Sequence, residues 1–453
     1  MGGRPGCSIE HYIIKMVHFI LSSIDGNSKN SVIAVPVDYS KAFNKMKHSN
    51  ILIHLIALNV PKCAVKLIKS DLTRRSMCVR FHGAVSSFHS CPGGGPQGGL
   101  LTGVLFCLQI NKAGSPCVIS LPPSLGQQNT YGPPNRPEDQ LHQPYHRQEE
   151  AEAPIHQPTP PCHNQPLLHK KAFIDDLTML EKISLSKLIY KERIIGPLNW
   201  HDRHNLTLPP EDFILQHQLS DLAKLLENHF MKLNRSKTKC FPFISSITKD
   251  FMPQLSLEEG SFLEVIYELK LIGLVLTSDL SWNAHVNYTI KRVNSVLWQL
   301  TRFKNLGAPR DKLLQLYILK IRLILMFGSV CFHSSLTQEL SRRLELQQRR
   351  SLAAILGSQY RSYRNALSLT SLPRLDTLRE EACLKWALRA QENPLHTNIF
   401  PVSTSEVDTR YRPKFKEYRC ISSKFYNSAV PYMTRALNQY YSQNYNSSIT
   451  TKG

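Results

Sequence analysis

The order of apolar and polar positions predicts that helices and strands alternate in the first half of the chain and that helices dominate the second half. Apolar residues recur at helical spacing over 9–24, 48–58 and 61–72. A continuous apolar run over 31–37 is typical of a buried strand, and 76–89 reads as a hairpin that turns at His82-Gly83.

The later elements complete a mixed pattern. They are helices over 100–110, 216–233 and 283–393, and a strand pair over 262–267 and 269–276. Beyond about residue 402 the chain is a polar tail rich in Tyr, Ser and Asn. An antiparallel sheet with segregated helices, the α+β class, fits this order of elements best.

A proline-rich segment interrupts the pattern at residues 113–168. Twelve of the chain's 28 prolines lie between Pro116 and Pro166, among Gln, His, Asn and Ser. Such a composition cannot build a core and predicts a disordered, partly polyproline-II insertion. Its His and Cys residues show no metal-ligand spacing, so no specific zinc site is indicated.

The charge of the chain favours a polyanionic partner. Lys and Arg exceed Asp and Glu by 55 to 34, giving a net charge of +21, which suits nucleic acid before a membrane. Twelve Lys or Arg against three acids lie within 281–350; a solvated charged face and a nucleic-acid-binding face both explain this excess. The apolar run 11–24 is broken by Lys15 and His18, so it is too short and too polar to span a membrane.

Cysteine usage and the termini say little about location. The eleven cysteines are odd in number and scattered, and no CxxC pair occurs. This pattern indicates neither a disulfide framework nor a zinc finger, and it favours a reducing, intracellular compartment. No targeting signal separates nucleus from cytoplasm.

Two adjacent carboxylates, Asp175 and Asp176, interrupt an apolar stretch that reads as two strands joined by a tight connection. Ionised Asp is rarely buried unless it is paired or binds a metal. Successive strand residues face opposite ways, so at most one of the two can point fully into a site. A solvated turn is the alternative. The strand that ends in Asp38 shifts the balance, because two strands that each deliver a carboxylate to one place make a divalent-metal site.

A glycine-rich loop at 91–99 precedes the helix that begins at residue 100. Glycine permits close approach of the backbone to a ligand, and a helix N-terminus offers free N–H groups to phosphate. A glycine-rich loop that simply feeds a buried helix is the alternative.

Five segments taken in order are more specific than any one of them. They are VDYSKAF at 37–43, GGPQGGLL at 94–101 with Phe106, FIDD at 173–176, LNRSKTK at 233–239 and LIGL at 271–274. This series resembles palm motifs A to E of reverse transcriptases, most closely those of non-LTR retrotransposons. The segments DLSWNAH at 279–285 and LELQQRR at 344–350 resemble stretches downstream of the catalytic core in those elements. The resemblance covers roughly residues 1–400.

The resemblance implies a right-hand polymerase palm followed by a helical thumb, and RNA-directed DNA polymerase (nucleotidyltransferase) activity. Asp38 and Asp175 would hold two Mg²⁺ (or Mn²⁺) ions about 3.5–4 Å apart, one to activate the primer 3′-hydroxyl and one to steady the leaving pyrophosphate. Asp176 would support this cluster in a weaker role. The implied partners are an RNA template, a DNA primer and dNTPs, with no membrane and no clear protein partner.

The same resemblance assigns the substrate-binding residues. Phe43 falls where the family places a bulky gate against the sugar 2′-hydroxyl, and Lys237 falls where it has a lysine near the triphosphate. The alternative interpretation of Lys237 is a surface lysine that follows a helix and has no role at the site. The segment 271–274 would be the primer grip. The loop residues that would line the incoming nucleotide and template are Gly95, Pro96, Gln97 and Gly98.

The expected domain organisation follows from these motifs. It comprises a remnant of fingers and first palm strand (1–37), palm with motifs A and B (38–112), the proline-rich insertion (113–168), palm with motifs C, D and E (169–282), a basic helical thumb and downstream region (283–400) and a polar tail (401–453). Asn44 and Gly99 depart from the family's usual Asp and Ser, and neither is a metal ligand. Few residues precede Asp38, so we expect an N-terminally truncated, incomplete retroelement-derived copy.

Two other function classes remain open. One is a catalytically silent nucleic-acid-binding remnant that has kept the fold and the charge. Survival of all three carboxylates favours the polymerase, and the short N-terminal region favours the remnant. The other is a carboxylate-metal hydrolase, which does not explain the Gly-Pro-Gln-Gly loop between the acids. Template-dependent incorporation of labelled dNTP separates the three.

Overall fold

The structure is a computed structural model, and it combines an antiparallel sheet with two groups of helices. It describes residues 6–25, 30–40, 42–95, 100–111, 168–173, 176–184, 214–228, 232–243, 254–258, 261–403 and 413–450. The α+β expectation is thereby confirmed in its general form, a chain of mixed helix and sheet. The predicted proline-rich insertion lies almost wholly outside the described residues.

The elements are as follows. The helices are α1 (Ile9–Ile24), α2 (His48–Ala57), α3 (Lys62–Leu72), α4 (Leu100–Asn111), α5 (Ile214–Asn228), α6 (Asn283–Asn305), α7 (Arg310–Leu316), α8 (Leu323–Met326), α9 (Ser329–Phe332), α10 (Gln338–Leu356), α11 (Tyr363–Thr370), α12 (Leu375–Glu392), α13 (Ser423–Tyr426) and α14 (Ala429–Thr450). The strands are β1 (Asn30–Val37), β2 (Ser76–Met77), β3 (Arg80–Phe81), β4 (Ala84–Val85), β5 (His89–Ser90), β6 (Leu168–Phe173), β7 (Asp176–Ser184), β8 (Phe241–Phe243), β9 (Ser256–Glu258), β10 (Ser261–Phe262), β11 (Glu268–Leu271) and β12 (Leu274–Thr277).

The central sheet has four antiparallel strands in the order β6-β7-β1-β8. β1 pairs with β7 from Asn30↔Ser184 to Val37↔Leu177 and with β8 on its other edge. Being paired on both edges and covered on both faces, β1 is buried almost throughout. This environment explains its unbroken apolar sequence, which a strand with one solvated face would not have.

Side chains of the sheet alternate between two cores. Val32, Ala34 and Leu180 belong to a cluster shared with α1 and the C-terminal helices. Ile33 and Met179, on the opposite face, belong to a second cluster shared with α2, α4 and α5. The two-residue period of a strand therefore assigns each sheet residue to one core or the other.

Most predicted elements are confirmed, including α1, β1, α2, α3 and the hairpin at 76–90. The strand pair predicted over 262–267 and 269–276 is wrong. Of its first member only Phe262 lies in a strand, and that strand (β10) pairs with β9. Its second member is not a single strand. It is a hairpin of β11 and β12, whose turn residues Ile272 and Gly273 have φ values of 46° and 85°. The apolar run continues through the turn, so hydrophobicity alone hid the reversal.

The polar tail expected over 401–453 is wrong for its described part. α14 packs Val430, Met433 and Leu437 into the first core, each at most 1% exposed. These residues lie at helical spacing, so one face of the helix is apolar although its average composition is polar.

One helical stretch among the described residues, Arg310–Ser335, is long and apolar enough by length and composition to cross a membrane, with a mean hydropathy of 1.7. Core helices of soluble proteins meet the same criteria. Tyr317, Ile321 and Leu325 of this stretch are fully buried in the first core. The stretch contains a π-helical turn, Tyr317–Arg322.

Candidate active site

Asp38 lies directly after β1, at the end of the central sheet. The last β1–β7 pair is Val37↔Leu177, so the next two residues in this antiparallel register are Asp38 and Asp176. Opposed residues of an antiparallel pair have Cα atoms about 4.5–5.5 Å apart. The pairing thus places Asp38 and Asp176, the residue with the predicted supporting role, at the same end of the sheet.

The connection between β6 and β7 is tight. Phe173 pairs with Asp176, leaving two residues, Ile174 and Asp175, between the strands. Asp175 and the side chain of Asp176 lie outside the described residues. Within the described part of the chain, no three His, Cys, Asp or Glu side chains converge to hold a metal. The predicted ligand set therefore remains a prediction.

Backbone hydrogen bonds fix Asp38 on the side away from β7. Its carbonyl accepts from Asn234 N at 2.7 Å, and its own N–H donates to the buried Thr238 Oγ1 at 3.4 Å. Ser40 N likewise donates to the carbonyl of Lys232 at 2.9 Å. The segment 232–238 thus runs beside the residues that follow β1, joining predicted motif D to predicted motif A.

Lys237 is brought to Asp38 by this arrangement. Its Nζ lies 3.7 Å from Asp38 Oδ2, and the two side chains are 68% and 38% exposed. Lys237 N and Thr238 N both donate to the carbonyl of Asn234, which shapes the turn that carries the lysine. An exposed ion pair of this kind contributes little to stability. Its importance is that a cation sits beside the candidate metal ligand.

The start of the glycine-rich loop packs on the 3₁₀ turn Ala42–Asn44 that follows Asp38. Gly95 N donates to the carbonyl of Phe43 at 2.9 Å, and Gly94 N donates to that of Met46 at 2.9 Å. Gly94 has a φ of 77°, and a Cβ there would lie 2.9 Å from the carbonyl oxygen of Phe43. Only glycine fits so close an approach of two backbones.

Phe43 lies at the edge of the second core. Its ring centroid is 5.2 Å from that of Phe106 on α4, and the side chain is only partly buried. Phe43 lies five residues after Asp38, and the structure brings Gly95 into contact with it. Pro96, Gln97 and Gly98 lie outside the described residues.

Two supporting residues were missed by the sequence analysis. Glu181 on β7 is 2% exposed, and its carboxylate accepts from the N–H groups of Ile214 at 3.3 Å and Leu215 at 3.0 Å. It thereby caps the N-terminus of α5 from a neighbouring strand. Thr178 accepts from the hydroxyl of Tyr12 at 2.6 Å, which ties β7 to α1. In the sequence, the only signal for the Glu181 cap is a glutamate among the apolar residues of a strand.

A second candidate surface lies on α6 and β11. We define the α6 surface as Lys270, Tyr288, Arg292, Trp298 and Arg302. Lys270 Nζ lies 4.7 Å from the centroid of the Tyr288 ring, and the Arg302 guanidinium carbon lies 4.9 Å from that of Trp298, which is 62% exposed. The hydrogen bond from Lys270 lowers the pKa of the Tyr288 hydroxyl below its usual value. Cations stacked on the exposed Trp298 ring and on the partly exposed Tyr288 ring suit a polyanion that carries bases.

Other cations of 281–350 have structural partners instead. Arg343 donates to the side chains of Asn283 and Asn287, and Arg350 donates to that of Asn294, which joins α10 to α6. Some basic residues of this region therefore join helices, whereas Arg292 and Arg302 belong to the α6 surface.

Comparison with known proteins finds similarity by sequence to a transposon protein. No family model matches the chain. A 118-residue part is 33% identical to the probable RNA-directed DNA polymerase from transposon X-element of Drosophila melanogaster, spanning 26% of this chain and 13% of that relative. A structure of telomerase from Candida tropicalis in complex with a TWJ fragment of telomeric RNA aligns with 95% of this chain and 49% of its own, at 10% identity and a TM-score of 0.33. That structural alignment is too weak to support an inference. By sequence, a 118-residue part of the chain is therefore similar to a transposon polymerase.

Proposed function

We propose that the chain is a reverse-transcriptase-like domain, an RNA-directed DNA polymerase of non-LTR retrotransposon type. The single observation that carries the proposal is the β1–β7 pairing, whose last pair, Val37↔Leu177, places the adjacent residues Asp38 and Asp176 at the same end of the sheet. The sequence similarity to a transposon polymerase supports it. In this proposal the central sheet is the palm, and the helices from α6 onward form the thumb and the region after it.

The donor atoms available at this site suit a hard divalent cation. Asp38 offers a carboxylate that is 38% exposed at the end of the sheet, so its oxygens can be reached from solvent. Mg²⁺ prefers oxygen ligands and needs few carboxylates, because substrate phosphates and waters complete its octahedron. Asp38, Asp175 and Asp176 would hold the ions. The bound ions would lower the pKa of the primer 3′-hydroxyl and neutralise charge on the leaving pyrophosphate.

The neighbours of Asp38 would position the nucleotide. The Lys237 ammonium, 3.7 Å from the carboxylate, would leave this ion pair and contact the triphosphate when Asp38 binds metal. Phe43, held by Gly95 N and by Phe106, would present its partly exposed ring to the sugar. Catalysis of phosphoryl transfer depends mainly on such positioning and on charge stabilisation.

Incorporation of labelled dNTP on poly(A) RNA with an oligo(dT) primer tests the proposal. Asp38→Asn should abolish Mg²⁺-dependent extension, because an amide is a poor ligand for the ion. Asp221→Asn, an exposed aspartate on α5, is the matched control and should keep the wild-type rate. Retention of most of the extension rate by Asp38→Asn would refute the assignment.

A nucleic-acid-binding domain without catalysis is the second candidate, because the α6 surface does not depend on the carboxylates. Under either candidate, an RNA–DNA duplex should bind less tightly as salt rises, since cations on the protein release condensed counterions. Arg302→Gln should flatten the plot of log affinity against log salt by roughly one unit of slope, whereas Lys312→Gln on α7 should not. If duplex binding does not depend on salt, the α6 surface is a solvated charged surface that does not contact nucleic acid. Binding without extension by the wild-type chain would favour the second candidate.

A further inference from the structure

The turn between β11 and β12 is a two-residue hairpin turn that places a β-branched residue in a left-handed conformation. Both of its central residues are left-handed, Ile272 at φ 46° and Gly273 at φ 85°. Glycine adopts this conformation freely, but a β-branched residue such as Ile272 does so at a cost. Such a conformation persists only where surrounding contacts hold it.

A reciprocal pair of glycines holds the turn against the helices. A Cβ built on Gly273 would lie 2.9 Å from Cε1 and 3.2 Å from Cζ of Phe327. A Cβ built on Gly328, which has a φ of 64°, would lie 2.9 Å from Cδ2 of Leu274. The Phe327 ring therefore rests directly on the backbone of the turn, and Leu274 rests on the junction between α8 and α9.

Strand β12 is attached to α6 and to the residues just before that helix. Val275 N donates to Nδ1 of the buried His285 at 3.4 Å, and Thr277 Oγ1 donates to the carbonyl of Ser281 at 2.9 Å. Leu274 and Leu276 lie in the same core as the helices. The hairpin is thus attached to the helical region at both of its ends.

Phe327 differs from an ordinary core residue because 38% of it is exposed. We propose that Phe327 is a positioning residue, which sets the place of the Ile272–Gly273 turn. The inference rests on the proposed function and on the resemblance by which segment 271–274 would be the primer grip. Displacing the turn would move the 3′-hydroxyl relative to the metal site, and misplacement by about 1 Å can cost on the order of a hundredfold in rate.

The test compares Phe327→Ala with Leu323→Ala, a truncation to alanine at a residue that is 60% exposed on the same helical stretch. Hydrogen exchange of the amides of residues 272–277 reports the order of the turn without any need for activity. Phe327→Ala should speed this exchange about tenfold, because the ring no longer covers the turn, and Leu323→Ala should not. Phe327→Tyr keeps the ring and should restore wild-type exchange.

Primer extension provides the second measurement. Phe327→Ala should lower kcat roughly ten- to a hundredfold while leaving the Kd for an RNA–DNA duplex nearly unchanged, and Phe327→Tyr should restore kcat. Unchanged turn exchange in Phe327→Ala would overturn the inference, as would unchanged kcat in a chain whose synthesis requires Asp38. If the wild-type chain makes no product, the proposed function fails. In that case the exchange measurement still decides whether Phe327 holds the turn.

Discussion

Replacing Glu181 with alanine should lower the free energy of unfolding by about 2–4 kcal/mol. The carboxylate is 2% exposed and accepts two backbone N–H groups at the first turn of α5. Hydrogen bonds to charged groups are worth roughly 1.5–3 kcal/mol each, and loss of a helix cap costs about 0.5–2 kcal/mol. These contributions overlap, because the lost cap and the lost hydrogen bonds are the same contacts. Water reaching the freed N–H groups would offset part of the loss.

Urea unfolding followed by circular dichroism measures this change, with hydrogen exchange of α5 amides as a local readout. Glu181→Gln keeps one neutral acceptor of similar size, so its loss should be about half that of the alanine variant. Glu227→Gln, an exposed residue near the other end of α5, is the control and should change stability by less than about 0.5 kcal/mol.

The result also bears on the candidate site, because α5 packs against the face of β7 opposite α1. Leu215 and Leu219 share the second core with Met179, and β7 begins at Asp176. Equal stability of Glu181→Ala and wild type would refute the assignment of Glu181 as the cap. Faster exchange spread over the whole chain instead of α5 and β7 would contradict a local role.

Two further predictions follow from the buried histidine His285 and from Phe43. Burial lowers the pKa of His285 to about 4 from its ordinary 6.5, with Arg292 adding to the effect. The unfolded chain therefore binds a proton that the folded chain does not, and stability should fall between about pH 6.5 and 4 by at most about 1.4 kcal/mol per pH unit for this group. Urea midpoints measured across this range should fall less steeply in His285→Gln, and parallel profiles would contradict the assignment. Phe43→Val should let ribonucleotides in, as measured by the ratio of rNTP to dNTP incorporation, because the bulk beside the sugar is removed. Leu222→Ala, a buried residue of the same core on α5, should destabilise the fold without changing that ratio. Unchanged selection in Phe43→Val would place the ring in the core alone.

Local patterns predicted most of the secondary structure. The helical period of α1 and the apolar run of β1 are properties of short segments, so they could be read without knowing their neighbours. The same reasoning failed at Gly273, where the apolar pattern continues through a reversal of the chain. It also failed at α14, where average polarity hid the stripe formed by Val430, Met433 and Leu437.

The candidate site was predicted by residue type and order, and its assembly depends on contacts distant in sequence. That Asp38 follows an apolar strand is written in the sequence, as is the doublet Asp175-Asp176. Only the pairing of β1 with β7 brings Asp38 and Asp176 to one end of the sheet, across the long insertion between them. Lys237 reaches Asp38 because the chain at 232–238 runs beside the end of β1.

Charge shows the same division between sequence and tertiary structure. Composition alone determined that the chain is strongly basic. Helix packing decided that Arg343 joins α10 to α6 while Arg302 stacks on an exposed ring. Hydrophobic period and net charge are sums over local sequence. The partner of a given Asp, Glu or Arg is set by strand register and helix packing, which arise only when distant segments bury their apolar faces together.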